Sequence, residues 1–566
     1  MTEKMEKQDF LKVIDKYCYY PCSIDLLSDF DTPLSLFKKL QADFLLESVE
    51  KMSTVGRYSF IGIEKREQLS LKSNKVMYRC FHFEQESEEF FWKKKSDKGF
   101  SELGFLYGAK RSVDTYSDAP LELVRSHYLS ASVAPLRQKT LPFVGGLIGY
   151  MGFEAARYFE ALPEAKDVLA LPDVVMVFPR FLIVYDNCTR KISLIYLVAS
   201  PFFSRSLFKR KEKTLSLRSF SENGEKSKKA NQEKLQKLLF KEAERRYDFA
   251  RQKIDGIRKK MEKDFHYRPH VSKDAITLAK NSYLNKRSNF TRSSFMKVVE
   301  RCVDYIKSGD AFQIVPSQRF QFPLTIDPFE VYRSLRLHNP SPYLFYLNFD
   351  NFFLVGSSPE VMVRIDGDQI SLRPLAGTRP RGANVQDDDR LKKELLASKK
   401  ELAEHLMLVD LGRNDIGRVA KTGTVNVSEY MQVEKYSHVQ HIVSLVQGKK
   451  RADVDALDVI AATFPAGTLS GAPKLRSIEI IAELEKQQRG PYGGMVFYLS
   501  LDGNFNSCIT IRTLLMKEGM AFLQAGAGVV YDSVAAEEYQ ETLNKAQTVF
   551  SAIKDAGLRM EAEGKK

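Results

Sequence analysis

Hydrophobic and polar positions divide this chain into three regions. Up to about residue 200, short runs rich in Val, Ile and aromatic side chains predict β-strands, as in DVVMVFPRFLIVYD (173–186) and KISLIYLVAS (191–200), with a hairpin turn between them. From 201 to 287 the apolar positions become sparse within a charged, helix-forming pattern. From 288 onward, strand-like runs alternate with amphipathic helical segments.

The last region predicts a mixture of helices and antiparallel strands. Three helices are predicted: from an N-cap at Ser288, Asn289 or Thr291 to Gly309, around 387–410, and from 535 to about 556. Hairpin-like strands lie between these helices, as in YLFYLNFD (343–350). Strands and helices in this arrangement predict an α+β fold with antiparallel sheets.

The composition is that of a water-soluble globular protein. Hydrophobic residues make up 43% of the chain and charged residues 28%, and no uncharged apolar run is long enough to span a membrane. The N-terminal stretch MTEKMEKQDFLKVIDKYCYY is charged and lacks the apolar core of a secretory signal. The six cysteines are scattered, as expected in a reducing compartment. We therefore expect a cytoplasmic protein with no membrane partner.

The net charge of +14 belongs to one segment. Residues 201–287 hold 25 Lys+Arg against 11 Asp+Glu, whereas the rest of the chain holds 61 of each. This segment is interpreted as a basic linker or insertion, a flexible tract followed by a solvated helix. Binding of RNA, an acidic membrane surface or a partner protein remains an alternative for the segment alone. No nucleic-acid partner is expected for the body of the chain.

Paired carboxylates are the first candidate chemistry. Glu401 and Glu404 lie three residues apart on one predicted helix, and Glu538 and Glu541 have the same spacing on another. Residues three apart share a helix face, so each helix can direct two carboxylates at one point. Mg²⁺ takes one or two carboxylates and shares its remaining positions with water and an anionic substrate. The alternative is ordinary surface charge on amphipathic helices.

Glycine-rich and arginine-rich stretches are the second candidate for chemistry. SLRPLAGTRPRG (371–382) crowds three arginines around Ala376, which suggests an anion held against the backbone. In QAGAGVV, Gly526 and Gly528 would let backbone N–H groups approach an anion. FPAGTLSGAPK places Thr468 in a predicted loop. Each of these features is weak alone.

The order of these motifs resembles the anthranilate synthase component I family of chorismate-utilising enzymes. The resemblance is dense over 288–553 and sparser before that, where it includes FLLESVE (44–50) and GGLIGYMGFE (145–154). The motifs that carry it are SNFTR, GDAFQIVPSQRF, NPSPYLFYL, VGSSPE, PLAGTRPRG, ELAEHLMLVDLGRND, HVQHIVS, GTLSGAPK, GAGVVYDS and EEYQETLNKA. It implies a large two-sheet antiparallel β-sandwich with surrounding helices and an active site in the cleft between the sheets.

The resemblance also implies a function and a site. The family makes anthranilate and pyruvate from chorismate and ammonia, with Mg²⁺ as cofactor. Glu404 and Glu541 would bind Mg²⁺, with Glu401 and Glu538 behind them. Catalytic residues would be His441, Glu360, Thr468 and Gln313. Substrate-binding residues would be Gly377, Thr378, Tyr492, Arg512, Gly526, Ala527, Gly528 and Lys545.

Two positions separate the family from its relatives. Water-adding isochorismate and salicylate synthases carry a lysine base where this chain has Gln313. Aminodeoxychorismate synthase, which aminates C4, commonly carries a nucleophilic lysine where this chain has Ala376. Both positions favour anthranilate. A C4-aminating or water-adding enzyme, and a non-catalytic protein that senses tryptophan or binds RNA, are the alternatives.

Regulation and partners follow from the same resemblance. A tryptophan-inhibition site would use Ser48, Pro342, Tyr343 and Leu344, with Cys508 nearby; core packing is the alternative. No fused amidotransferase follows the last motif, so a separate glutamine amidotransferase subunit would supply ammonia. The expected regions are 1–200 (part of the sandwich and the regulatory site), 201–287 (basic linker or insertion) and 288–566 (chorismate-binding catalytic region).

Overall fold

A computed structural model describes most of the chain. The described residues are 2–48, 54–73, 75–80, 89–93, 102–106, 111–116, 121–136, 141–202, 225–265, 267, 272–436 and 439–563. None of the helices within these ranges is both long and apolar enough to cross a membrane.

Strands dominate both halves of the chain. The strands are β1 (Tyr19–Leu27), β2 (Phe44–Glu47), β3 (Tyr58–Lys72), β4 (Lys75–Cys80), β5 (Glu89–Lys93), β6 (Glu102–Leu106), β7 (Arg111–Tyr116), β8 (Gly146–Met151), β9 (Val174–Asp186), β10 (Lys191–Ala199), β11 (Arg287–Ser288), β12 (Gln313–Ile314), β13 (Ser317–Pro323), β14 (Tyr343–Asn348), β15 (Phe353–Ser358), β16 (Val361–Asp366), β17 (Gln369–Leu372), β18 (Leu375–Pro380), β19 (Asn426–Lys435), β20 (Val439–Lys449), β21 (Gly471–Ala472), β22 (Met495–Ser500), β23 (Phe505–Ile509), β24 (Thr513–Lys517) and β25 (Met520–Gly526).

Helices connect and cover these strands. The helices are α1 (Thr2–Val13), α2 (Pro33–Lys39), α3 (Glu122–Val124), α4 (Glu225–Met261), α5 (Lys273–Lys280), α6 (Arg292–Lys307), α7 (Pro328–His338), α8 (Val385–Ala397), α9 (Lys399–Gly417), α10 (Ala456–Thr463), α11 (Gly467–Ser470), α12 (Lys474–Glu485) and α13 (Ala535–Glu563).

Two arms of sheet extend from the long paired strands β3 and β9. The first arm leaves β9 through β8 and continues through β22, β23, β16, β17 and β20. The second arm leaves β3 through β2 and continues through β14, β15, β24, β25 and β13. All of these pairings are antiparallel, so both arms are built from the hairpin-type strands that the hydrophobic pattern predicts.

The arms face each other across a shared apolar core. Tyr150 and Val496 of the first arm belong to one buried cluster with Phe345 and Leu354 of the second. Helices α7 and α13 cover the outer face of the second arm, α9 and α10 cover that of the first, and α4 packs on β1 and β10. The predicted α+β sandwich with surrounding helices is confirmed, with the two sheets joined at β3 and β9 into one hydrogen-bonded network.

The chain crosses between the arms twice at neighbouring points. Residues 359–360 link β15 to β16, and residues 510–512 link β23 to β24. The crossings are adjacent because β16 pairs with β23 and β15 pairs with β24. Glu360 and Arg512 therefore lie close together where the two arms diverge.

The predicted helices form, with two changes. Helix α6 has its N-cap at Thr291, whose side chain accepts from the Ser294 N–H, and ends one residue before Ser308. The helix predicted around 387–410 is two helices, α8 and α9, because Ser398 ends the first and caps the second through the Glu401 N–H. The last helix, α13, continues seven residues past its predicted end.

The basic segment contributes to the core, unlike the solvated helix predicted there. Helix α4 buries Ala243, Tyr247, Ala250 and Ile254 along one face, in the same cluster as β1 and β10. The sequence pattern misleads because the buried positions, although they recur at every third or fourth residue, are separated by many charged residues. The flexible tract predicted before α4 falls mostly on residues 203–224, which lie outside the described residues.

Candidate active site

Helix α9 supplies the first pair of predicted metal-binding carboxylates. The Ser398 cap sets the start of the helix, so that Glu401 and Glu404 are one turn apart. Arg379 Nη1 donates to Glu401 Oε1 at 3.0 Å, and Gln313 Nε2 donates to Glu404 Oε1 at 3.2 Å. Glu404 therefore sits between its helix and β12, facing the cleft.

Helix α13 supplies the second pair. Glu538 is buried and accepts from Ser533 Oγ at 2.7 Å, whereas Glu541 is half exposed and pairs with Lys545 at 2.7 Å. Lys545 also donates to the Gly526 carbonyl at 3.0 Å. One ammonium group thus connects α13 to the end of β25.

The two helices place negative charges close together. Burial raises the pKa of Glu404, and the charges of Glu401 and Glu541 raise it further. A divalent cation between Glu404 and Glu541 would relieve this repulsion, so the donor set fits Mg²⁺, which needs only one or two protein carboxylates. Within the described part of the chain, no three His, Cys, Asp or Glu side chains are grouped as a complete metal site.

Glu360 is a buried acid at the crossing between the arms. Burial raises its pKa to about 7, against the lowering effects of the nearby Thr468 hydroxyl, Lys545 and Arg512. Arg512 occupies the left-handed region at φ +49°, a conformation that non-glycine residues adopt at a cost and that is concentrated at functional sites. The crossing thus places a buried acid, whose pKa of about 7 leaves it partly protonated at neutral pH, beside the Arg512 guanidinium.

His441 lies on β20 opposite Thr378 of β18. Its Nδ1 is 3.0 Å from Thr378 Oγ1 and 3.3 Å from the Gly377 carbonyl. Because a carbonyl only accepts, this contact assigns the proton to Nδ1 and leaves a lone pair on Nε2. Burial lowers the pKa of His441, so the ring is neutral near pH 7.

The end of β25 forms the opposite wall. A Cβ on Gly528 would lie 2.9 Å from Gln313 Nε2, and one on Gly526 would lie 2.8 Å from Tyr492 Oη. Glycine at both positions lets Gln313 and the Tyr492 hydroxyl lie close against the backbone of 526–528. Ala527 is fully buried between them and donates its N–H to the Pro316 carbonyl.

The arginines of the 371–382 stretch do not form an anion site. Arg373 bonds to Glu434, Arg379 to Glu401 and Arg381 to Asp388. The expectation of an anion held by these arginines is therefore wrong, because each is neutralised by a carboxylate from a neighbouring element. Their role is to hold β18 against α8, α9 and β19, with Gly377 at φ +72° between them.

The residues predicted for the inhibitor site line one small cavity of about 50 Å³ in the apolar core between the arms. Ser48 Oγ is buried there and has no hydrogen-bond partner among the described residues, which stop at Ser48 and resume at Thr54. The lining also includes Asn506, which sequence reasoning did not single out and which accepts from Tyr343 Oη at 3.0 Å. The predicted residues in the lining are Ser48, Pro342, Tyr343, Leu344 and Cys508.

Sequence reasoning also missed a buried ion pair behind the site, between Glu485 and Arg489. Their i, i+4 spacing in ELEKQQR was a usable signal, since such spacing suits an ion pair near a helix end.

Comparison with known proteins agrees with this geometry. Residues 87–551 match the model of the chorismate binding enzyme family. Anthranilate synthase component 1 of Acetivibrio thermocellus is 38% identical over 97% of this chain and 98% of its own, and that of Aquifex aeolicus is 37% identical over 98% and 99%.

Solved structures give the same result. Anthranilate synthase component I from Streptococcus pneumoniae aligns over 93% of this chain and 99% of its own, with 29% identity and a TM-score of 0.62. The isochorismate synthase MenF from Escherichia coli aligns over 98% and 100%, with a TM-score of 0.59. At 15% identity, the second match shows a shared fold alone.

Proposed function

We infer that this chain makes anthranilate and pyruvate from chorismate and ammonia. It belongs to the chorismate binding enzyme family and, within that family, to the anthranilate synthase component I enzymes. The observation that carries the proposal is the convergence of Glu404, Gln313 and Gly528 on one side of the cleft, with the buried acid Glu360 at the crossing. The reaction would be the first committed step of tryptophan biosynthesis, carried out in the cytoplasm.

Chorismate would be held by its two carboxylates. Glu404 and Glu541 would hold Mg²⁺ against the ring carboxylate, with Glu401 and Glu538 supporting them from behind. Bound Mg²⁺ would neutralise that carboxylate and favour loss of the C4 oxygen. The groups proposed for the remaining contacts are Arg512 and Tyr492 for the enolpyruvyl carboxylate, the backbone of Gly526, Ala527 and Gly528, Lys545 for the ring carboxylate, and Gly377, Thr378 and Thr468 for the pocket wall.

Glu360 would protonate the C4 hydroxyl, because hydroxide is a poor leaving group. A pKa of about 7 keeps a useful fraction of its carboxyl protonated at neutral pH. Ammonia would add at C2 as water leaves from C4, giving an aminodeoxyisochorismate. Loss of the C2 proton and of the enolpyruvyl group as pyruvate would then form the aromatic ring. The neutral His441 would hydrogen-bond near C4 through Nε2.

Two neutral residues favour ammonia at C2. Gln313 offers an amide, and not a lysine base that could activate water; its Nε2 is already bonded to Glu404. Ala376 offers no nucleophile for attack at C2, which C4 amination would require. Ammonia is itself a nucleophile and needs neither group.

Ammonia would come from glutamine through a separate amidotransferase subunit. The relatives' printed name, component 1, implies a partner component. We propose that this chain also works with free ammonia, because every group proposed for the reaction at chorismate belongs to this chain.

Tryptophan would inhibit by binding at the small cavity lined by Ser48, Tyr343 and Leu344, which would have to widen to admit it. Aromatic and aliphatic walls suit an indole ring, and the unpartnered Ser48 Oγ could bond the amino-acid group. In Ser48→Ala we expect the inhibition constant for tryptophan to rise about 10-fold with unchanged uninhibited rate, the value of one lost buried hydrogen bond. Equal inhibition of both proteins in the anthranilate assay would contradict this assignment.

The main test follows anthranilate fluorescence from chorismate, Mg²⁺ and ammonium. We expect a signal that EDTA abolishes and that Glu541→Gln reduces at least 100-fold, because the variant loses one of two proposed metal ligands. Glu537→Gln is the matched control, since Glu537 is an exposed carboxylate on the same helix. It should keep full activity.

The products decide between the alternatives. Chorismate consumed without anthranilate would point to C4 amination or water addition and would require product identification. Chorismate left intact, even with a cognate glutaminase and glutamine, would reject the enzyme proposal.

A further inference from the structure

We propose that Arg489, through its ion pair with Glu485, is a positioning residue that fixes four separate segments of the active site relative to one another. The inference rests on the proposed function, because those segments carry residues assigned there to catalysis and substrate binding. Neither Arg489 nor Glu485 faces the cleft. Their part would be to set the geometry of the groups that do.

The ion pair is almost completely buried. The side chains of Arg489 and Glu485 are 1% and 4% exposed, and both guanidinium–carboxylate contacts are short, at 2.5 and 3.0 Å. Glu485 is the last residue of α12, and Arg489 follows in the turn before β22. The pair therefore lies behind the wall made by Tyr492 and the end of β25.

Arg489 holds two catalytic segments by their backbones. Its Nη1 donates to the Leu469 carbonyl at 2.7 Å, directly after Thr468. Its Nη2 donates to the Val315 carbonyl at 2.6 Å, two residues after Gln313. Val315 lies between β12 and β13, so its carbonyl has no place in a strand ladder and depends on this donor.

Glu485 holds the substrate-binding wall. Its Oε1 accepts from both the N–H and the hydroxyl of Ser317, at 2.7 and 2.9 Å. Ser317 is the ladder partner of Gly526, and its hydroxyl also accepts from Gln524 Nε2 at 2.8 Å. The start of β13 and the end of β25 are thereby tied to the ion pair.

Tyr492 belongs to the fourth segment that the ion pair holds in place. The Arg489 guanidinium lies 5.6 Å from the centroid of the Tyr492 ring and 4.6 Å from that of Phe153. Glu154 accepts the N–H groups of Arg489 and Gly490, which fixes the turn that leads to Tyr492. The Tyr492 hydroxyl reaches Gly526, so this fourth segment meets the third at the proposed carboxylate site.

The shape of the arginine side chain explains why one residue can hold several segments in place. Its planar fork presents several N–H groups in fixed directions, whereas lysine presents a compact ammonium on a flexible stem. A buried ion pair is also a poor source of stability, because desolvating both charges offsets most of their attraction. Positioning is therefore the better account of this pair, and its effect should appear in the kinetics.

The test compares Arg489→Lys with Arg180→Lys in the full-length protein. Arg180 is equally buried, with 1% of its side chain exposed, and lies beside Glu64 on strands that carry no proposed site residue. We measure kcat, the KM for chorismate, thermal unfolding, and chorismate binding by calorimetry with Mg²⁺ but without ammonia. We expect Arg489→Lys to lose roughly 100-fold in kcat/KM, as displacements near 1 Å can produce. Arg180→Lys should stay within about 3-fold even if its Tm falls by a similar amount, because it acts on stability alone.

Each outcome decides the proposal. Unchanged kcat/KM per folded Arg489→Lys molecule would overturn it, as would an equal loss in the Arg180→Lys control. If Arg489→Lys does not fold, Ser317→Ala serves instead: a loss of several-fold in kcat/KM supports the proposal and no loss overturns it. If the unmodified protein binds chorismate but forms no anthranilate, the proposed function fails. Chorismate binding then remains the readout. Weaker binding by Arg489→Lys, with unchanged binding by Arg180→Lys, would still support the positioning role.

Discussion

Glu360, the proposed general acid, is buried at a cost to stability. Its pKa is about 7 in the folded chain, against an ordinary value of 4.5, because burial disfavours the ionised carboxylate. The folded state thus binds this proton more tightly than the unfolded state does. The free energy of unfolding should therefore fall as the pH rises from about 4.5 through 7, and the full penalty is present above pH 7.

Glu360→Gln should separate the two effects. At pH 8 the variant should be more stable than the unmodified protein, by up to about 3 kcal/mol, because the amide cannot ionise. At pH 5 the difference should shrink to about 1 kcal/mol or less. Its kcat should fall at least 100-fold, the usual effect of removing a general acid.

Urea unfolding at the two pH values and the anthranilate assay measure these quantities. A variant no more stable at pH 8 than the unmodified protein would show that the carboxyl of Glu360 is not strained by burial.

At the scale of elements, sequence periodicity predicted most helices and strands but not all of their junctions. The N-cap at Thr291 was among the predicted positions because its signal is local. The break at Ser398 was missed because serine is tolerated within helices, and only the capping bond to Glu401 shows that a new helix begins there. That break sets the start of the helix that carries Glu404.

Helix α4 gives the element-scale prediction. Ile254 is fully buried against the core, so Ile254→Ala should lower the free energy of unfolding by about 2–4 kcal/mol. Lys260→Ala, on the exposed side of the same helix, should change it by less than about 0.5 kcal/mol. Chemical denaturation measures both.

The kcat of folded Ile254→Ala should be unchanged, because α4 holds no proposed site residue. If the two variants were equally stable, α4 would not contribute to the core, and residues 201–287 would be a linker as first predicted.

For the whole molecule, the strand pairing opposes a division at residue 288. β8 of the first region pairs with β22 of the last, and β2 pairs with β14. A protein consisting of residues 288–566 alone would expose both partner edges and half of the apolar core. We expect it to be inactive and to unfold without a cooperative transition, as judged by calorimetry. A sharp transition together with anthranilate formation would establish the last region as an independent domain.

The sequence was sufficient to predict the fold class and to propose site residues, but not to predict the contacts of those residues. Motif order identified Glu404, Glu541 and Glu360 through family resemblance, whereas spacing alone left the carboxylates indistinguishable from surface charge. The arginines of 371–382 were misread because their partners, Glu434, Glu401 and Asp388, are supplied by other elements. The Glu485–Arg489 pair was missed for the same reason, because its partners come from other elements. The Val315 carbonyl, which accepts from Arg489, lies 174 residues earlier in the chain.

The pairing of β8 with β22 has a further consequence during synthesis on the ribosome. Tyr150 faces Val496 in this ladder, so β8 must wait for nearly 350 further residues before its partner is made. At about 5–20 residues per second, that interval is roughly 20–70 s. Throughout it, the nascent chain presents an unpaired, apolar strand edge, the kind of surface that chaperones protect. Because of this strand order, we expect chaperones to protect the newly made N-terminal region until β22 has emerged from the ribosome.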